Sequence, residues 1–179
     1  MNLSALLRNW WTRRVAGPSP DGELDRAIAL HEQGRLLEAE AIYRDILATD
    51  PGNAEALHLA GIAAHQRGDQ SAALASIDAA IARTPQRALF HFNRGNVLIA
   101  MGEPAQAAAS YQSATRLDAR HQGAWLNLGR TQMALYDHAQ AAAALWQAFH
   151  LDAATPGLRY ELATALIAAA DRGSTDGSG

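Results

Sequence analysis

The 179-residue chain contains no cysteine and no lysine. Without thiols it can form neither disulfides nor thiolate metal sites. No apolar run approaches the roughly 20 residues that span a bilayer. The net charge of −3 supplies no overall basic footprint for nucleic acid. What charge there is lies unevenly: residues 1–20 hold Arg8, Arg13 and Arg14 and no acid, which leaves about −6 on everything from Asp21 onward. The groupings that catalysis requires are also missing. There is no Gly-x-Ser-x-Gly turn and no Gly-rich phosphate loop with a lysine, and His31-Glu32 is followed by Gln33-Gly34-Arg35 rather than by a second histidine. The chain therefore reads as non-enzymatic, with no cofactor, no resident metal and no small-molecule substrate.

What is present is a period. The stretch Ala124-Trp125-Leu126-Asn127-Leu128-Gly129-Arg130 recurs in degraded form 34 residues back at His91…Gly95, again at Leu57…Gly61, and forward at Arg159…Ala163. The helix breakers keep the same register: Gly34, Gly68 and Gly102 at the ends of first helices, Pro51 and Pro85 at the ends of second helices. Ala119 and Ala153 hold the proline place later on. The pattern predicts helix pairs at 21–33 with 37–49, 54–67 with 70–83, 88–101 with 104–117, and 122–135 with 138–151. A ninth helix is expected from Pro156, capped by Thr155, to about Ala170, followed by a disordered tail over 171–179. Small residues recur where helices cross closely (Ala27, Gly61, Gly95, Gly129, Ala163; Ala39, Ala73, Ala107, Ala141), with Tyr43, Ile77, Tyr111 and Leu145 between them. Each repeat then buries its apolar face only against its neighbours, so one solenoid core is expected rather than a globular one.

At these residues the chain resembles the tetratricopeptide repeat family. The resemblance implies an all-α, right-handed α-solenoid of four helix-turn-helix repeats (about 20–53, 54–87, 88–121 and 122–155) with a capping helix over 156–170. Departures are local: Glu23 and Arg26 stand at apolar places of the first repeat, and Gln132 and Tyr136 at the usual Tyr and Gly places of the fourth.

The resemblance also implies that first helices line a concave groove where a protein or peptide partner binds. Its expected contacts are Ile62, His65, Phe92, Asn93, Asn96, Leu126, Asn127, Arg130 and Met133, with Leu24, Ile28, His58, Leu59 and Leu89 also on the groove face. Asn93 and Asn127 hold equivalent places, similar to the asparagine ladder in the repeat domain of O-linked N-acetylglucosamine transferases. An amide both donates and accepts, so such a row suits a peptide backbone; it equally suits bonding within the stack. The paired cations of a carboxylate clamp are absent from the corresponding places, which argues against binding of chaperone tails. His31, His58 and His65 are close enough in register for a metal cluster to be conceivable, but no carboxylate or cysteine completes it, and they read as groove or surface imidazoles.

Residues 1–17 form a separate amphipathic helix in this reading, joined by a linker at 18–22. Leu3, Leu6, Leu7, Trp10 and Trp11 share one face, which suits docking on the repeats, docking on a partner, or peripheral membrane contact through residues 1–14. The expected location is cytoplasmic, with or without that membrane contact. The functional expectation is a scaffold that binds an extended peptide or partner helix in its groove. The alternatives are a regulatory or substrate-presenting module of a larger enzyme system, such as a protein glycosyltransferase, or a membrane-tethered assembly factor.

Overall fold

Each pair of predicted helices forms, because a left-handed turn closes the first helix of the pair and releases the chain into the second. The computed structural model describes the backbone of residues 20–175 and the side chains of residues 22–171. The amphipathic segment expected at 1–17, with its Leu and Trp face, and residues 176–179 lie outside the described residues. Nine helices follow in order: α1 (Pro20–Glu32), α2 (Leu36–Thr49), α3 (Ala54–Gln66), α4 (Gln70–Arg83), α5 (Ala88–Ala100), α6 (Pro104–Leu117), α7 (Gln122–Ala134), α8 (His138–Leu151) and α9 (Leu158–Thr175). They stack as a right-handed all-α solenoid of four helix pairs with α9 closing the series, and no strand occurs among the described residues. None of these helices is long and apolar enough to cross a membrane.

The turn inside each pair is the same motif four times. Gly34, Gly68, Gly102 and Tyr136 all take positive φ, at 75°, 85°, 76° and 60°. In each case the amide of that residue bonds three residues back, and the next amide bonds five residues back, as Gly102 to Ile99 (3.0 Å) and Glu103 to Leu98 (2.9 Å), or Tyr136 to Met133 (3.0 Å) and Asp137 to Gln132 (2.9 Å). These bonds satisfy carbonyls that the helix end would otherwise leave unpaired. Between pairs, aspartate makes the same turn whether proline or alanine follows it. Asp118 Oδ1 accepts from the Arg120 amide (2.9 Å) and Asp152 Oδ1 from the Ala154 amide (2.9 Å), as Asp50 Oδ1 does from Gly52 (3.0 Å).

Packing follows the small-to-large register. Gly61 faces Ile77, Gly95 faces Tyr111 and Gly129 faces Leu145; a Cβ on Gly61 would stand 2.7 Å from Ile77 Cγ1, and one on Gly129 2.6 Å from Leu145 Cγ. The large partners are fully buried. In the first pair Ala27 and Tyr43 occupy the equivalent places, both at 0% exposure.

Two boundaries differ from expectation. The first helix, expected from residue 21, begins one residue earlier at Pro20, where proline already has the helical φ and its missing amide costs nothing. The last helix starts at Leu158 rather than Pro156, because Gly157 at φ 77° holds the preceding residues in a turn, and it continues to Thr175, past the expected end at Ala170.

Candidate interaction groove

The first helices α5 and α7 place their amides side by side, with Asn96 reaching both Tyr111 of α6 and Asn127 of α7. Asn96 and Ile99 of α5, Tyr111 of α6 and Asn127, Arg130 and Thr131 of α7 enclose a hollow of about 340 Å³. Past Arg130 the surface continues into a second hollow of about 320 Å³, bounded by Met133 of α7 and by Tyr160, Glu161 and Thr164 of α9.

A run of side-chain hydrogen bonds crosses three repeats along this face. Asn127 Nδ2 donates to Asn96 Oδ1 (3.0 Å), Asn96 Nδ2 donates to Asn93 Oδ1 (3.4 Å), and Asn93 Nδ2 donates to His58 Nε2 (2.8 Å). Tyr111 Oη also donates to Asn96 Oδ1 (2.8 Å), so both lone pairs of that oxygen are used. Burial pushes the Tyr111 phenol up to about 12, opposed by the Asn127 amide beside it, and the hydroxyl remains a donor at neutral pH. Asn127 lines the hollow, and among the described residues no hydrogen bond is made to its Oδ1.

His58, expected on the groove surface, is instead buried at 3% exposure and stacked on Phe90, ring centroids 4.4 Å apart. Its place on α3 turns it into the junction with α5. Burial first, and the nearby Arg87 charge second, bring its pKa down to about 4, so it is neutral at physiological pH. With Nε2 accepting from Asn93, the proton sits on Nδ1, which is buried without a hydrogen-bond partner.

Arg130 reaches α9, where Nε and Nη2 grip the Glu161 carboxylate at 2.9 and 2.7 Å. That bond raises the guanidinium pKa further. The other expected contacts are half-buried and divided among the core clusters. Ile62 packs toward Val97 and Ile77, and Leu126 and Met133 toward the α8–α9 core. Phe92 lies 4.6 Å from the His121 ring and 5.9 Å from that of Tyr111, measured between centroids. His65 bonds Gln70, and His31 bonds Tyr43 and Gln66, so the three histidines do not converge. Among the described residues no group of three His, Asp or Glu side chains could hold a metal ion.

The structure thus brings Asn96, Asn127, Arg130 and Met133 into one continuous trough and adds Tyr111, Tyr160, Glu161 and Thr164, which were not among the expected contacts. Three of the four were one step away: Leu126, Asn127 and Arg130 advanced by the period give Tyr160, Glu161 and Thr164.

The tetratricopeptide repeat family model matches residues 4–88 and 92–157. No curated protein is significantly similar in sequence. Among solved structures the chain is similar to the MamA protein (TM-score 0.76, 19% identity, 87% of this chain and 85% of that one). It is also similar to YrrB, described as a repeat protein with an unusual peptide-binding site (0.74, 18%, 84% and 78%). A third similar structure is a mutant O-GlcNAc transferase of Thermobaculum terrenum (0.68, 28%), where the match covers 73% of this chain but 26% of that one. With the family model matched over most of its length, across the helix pairs of the solenoid, the chain belongs to the tetratricopeptide repeat family.

Proposed function

We propose that the chain is a non-enzymatic interaction scaffold that holds an extended segment of a protein partner along the trough from Asn96 to Tyr160. One observation carries this reading: two hollows joined at Arg130, walled by Ile99, Met133 and Tyr160, with the side-chain amide of Asn127 in the lining. Apolar side chains of the segment would supply affinity on those walls, and a backbone N–H would find its acceptor at Asn127. Capture of partners from native extract, compared between the wild-type chain and an Asn127→Ala, Met133→Ala variant of equal thermal stability, tests it. Equal capture by both would sink it.

The second reading, a substrate-presenting module of a protein-modifying enzyme system, is favoured by the 28% identity to part of an O-GlcNAc transferase. Recovery of a glycosyltransferase in the same captures would support it. We place the scaffold in the cytoplasm. Residues 1–14 are its docking or membrane-contacting arm, which flotation with anionic vesicles tests against a chain starting at Asp21.

A further inference from the structure

The face opposite the trough carries a second opening, between the second helices α6 and α8. It has a volume of about 420 Å³, with Leu128 and Ala144 as its floor and Trp125 at one side. Its meaning comes from comparison with the junction one repeat earlier. There Arg94 fills the equivalent place, Nε on Asp78 Oδ1 at 2.6 Å and Nη1 on Ser110 Oγ at 2.9 Å. Advanced by one period, Arg94 becomes Leu128, Asp78 becomes Gln112 and Ser110 becomes Ala144. Every group of the internal bridge is replaced by one that cannot make it, and an apolar-floored slot remains.

The rim of that slot is chemically one-sided. Arg116 is the one charged residue lining it. The Arg116 guanidinium bonds the Gln112 carbonyl (3.3 Å) and Ser113 Oγ (3.0 Å), and forms no ion pair among the described residues. Beside it stand the amides of Gln112, Gln132 and Gln147. Gln132 is buried at 6% exposure, yet its Nε2 finds only a long 3.4 Å contact to Gln140 Oε1, an oxygen whose own amide nitrogen is held by Asp137 at 2.6 Å. A buried donor so weakly satisfied, an arginine without an acid and an apolar floor together match a side chain with an aliphatic stem and an anionic end.

The geometry points to a binding site for an acidic side chain of a partner protein in the α6–α8 slot: the stem of a glutamate on Leu128 and Ala144, its carboxylate on Arg116 and the glutamine amides. This site is independent of the trough, and the two can fail separately.

The test uses the full 179-residue chain, isotope-labelled, and two acetylated, amidated dodecapeptides that differ only in carrying glutamate or glutamine at every third position. The glutamate peptide is expected to shift the side-chain amide signals of Gln112, Gln132 and Gln147 and the Trp125 indole signal. The glutamine peptide should bind about tenfold more weakly, the difference one charge-assisted bond makes. Arg116→Gln should bring the glutamate peptide down to the same level; Arg116 is exposed, so the fold is retained. A Gln112→Asp, Leu128→Arg, Ala144→Ser variant, which rebuilds the bridge of the preceding junction, should abolish the shifts. Equal binding of the two peptides, indifference to Arg116→Gln, or shifts confined to the Asn96 and Asn127 signals would overturn the assignment.

Discussion

Gly95 lies directly against the ring of Tyr111, so close that a Cβ on the glycine would fall within the ring's own carbon shell. Tyr111 cannot retreat, because it is 1% exposed and its hydroxyl is bonded to Asn96. Gly95→Ala is therefore expected to destabilise the chain by about 1–3 kcal/mol through overpacking, despite alanine's better helix propensity. Urea unfolding followed by circular dichroism measures it; an unchanged midpoint would refute the close packing.

Tyr136 presents the opposite case. It occupies the left-handed turn position that glycine holds in the other three repeats, with its side chain 68% exposed. A residue with a Cβ costs roughly 1–2 kcal/mol there, offset in part by glycine's greater freedom when unfolded. Tyr136→Gly should raise stability by about 1 kcal/mol and the melting temperature by about 2–4 °C. Calorimetry that showed a lower melting temperature would mean that the Tyr136–His138 ring contact outweighs the backbone strain.

The three asparagines are not alike. Asn96→Ala strands the buried Tyr111 hydroxyl and should cost about 1–3 kcal/mol. Asn127→Ala removes one donor at the open hollow and should cost less than about 1 kcal/mol. Parallel denaturation of the two variants checks the order, which a purely ligand-facing ladder would not produce.

His58 makes stability depend on pH. Its folded pKa of about 4 lies below the unfolded value of about 6.5, so between the two the unfolded chain binds a proton that the folded chain refuses. Its contribution is complete above about pH 6.5 and is lost as pH falls toward 4, by about 3 kcal/mol in all. Unfolding free energies at pH 7 and 4.5 should differ accordingly, and His58→Gln should flatten the difference. A His58 ring resonance that titrated near pH 6.5 in the native state would contradict the burial.

The solenoid was legible because its punctuation is local. The glycines at 34, 68 and 102, and the small residues at 61, 95 and 129, declare the helix ends and crossings without reference to anything distant. The trough was half legible for the same reason: Asn96, Asn127 and Arg130 followed from the period. What escaped depended on which way a side chain turns. His58 shares the helix face of its groove neighbours but rotates into the junction, where Phe90 and Asn93 hold it. Arg130 was expected to contact a partner, and its own partner in the fold is Glu161 on α9, a pairing that no period declares because the two residues hold different places in their repeats.

The bonds running from His58 through Asn93 and Asn96 to Asn127 bear on how the molecule comes apart. In a stack where each unit touches only its neighbours, stability is a sum of units and junctions, and the ends melt first. Here the bonds of two successive junctions meet inside α5, where Asn96 Nδ2 donates to Asn93 Oδ1. Each junction helps to hold the amide that the other one uses in place, so the second, third and fourth repeats are expected to melt more cooperatively than a stack whose junctions are separate.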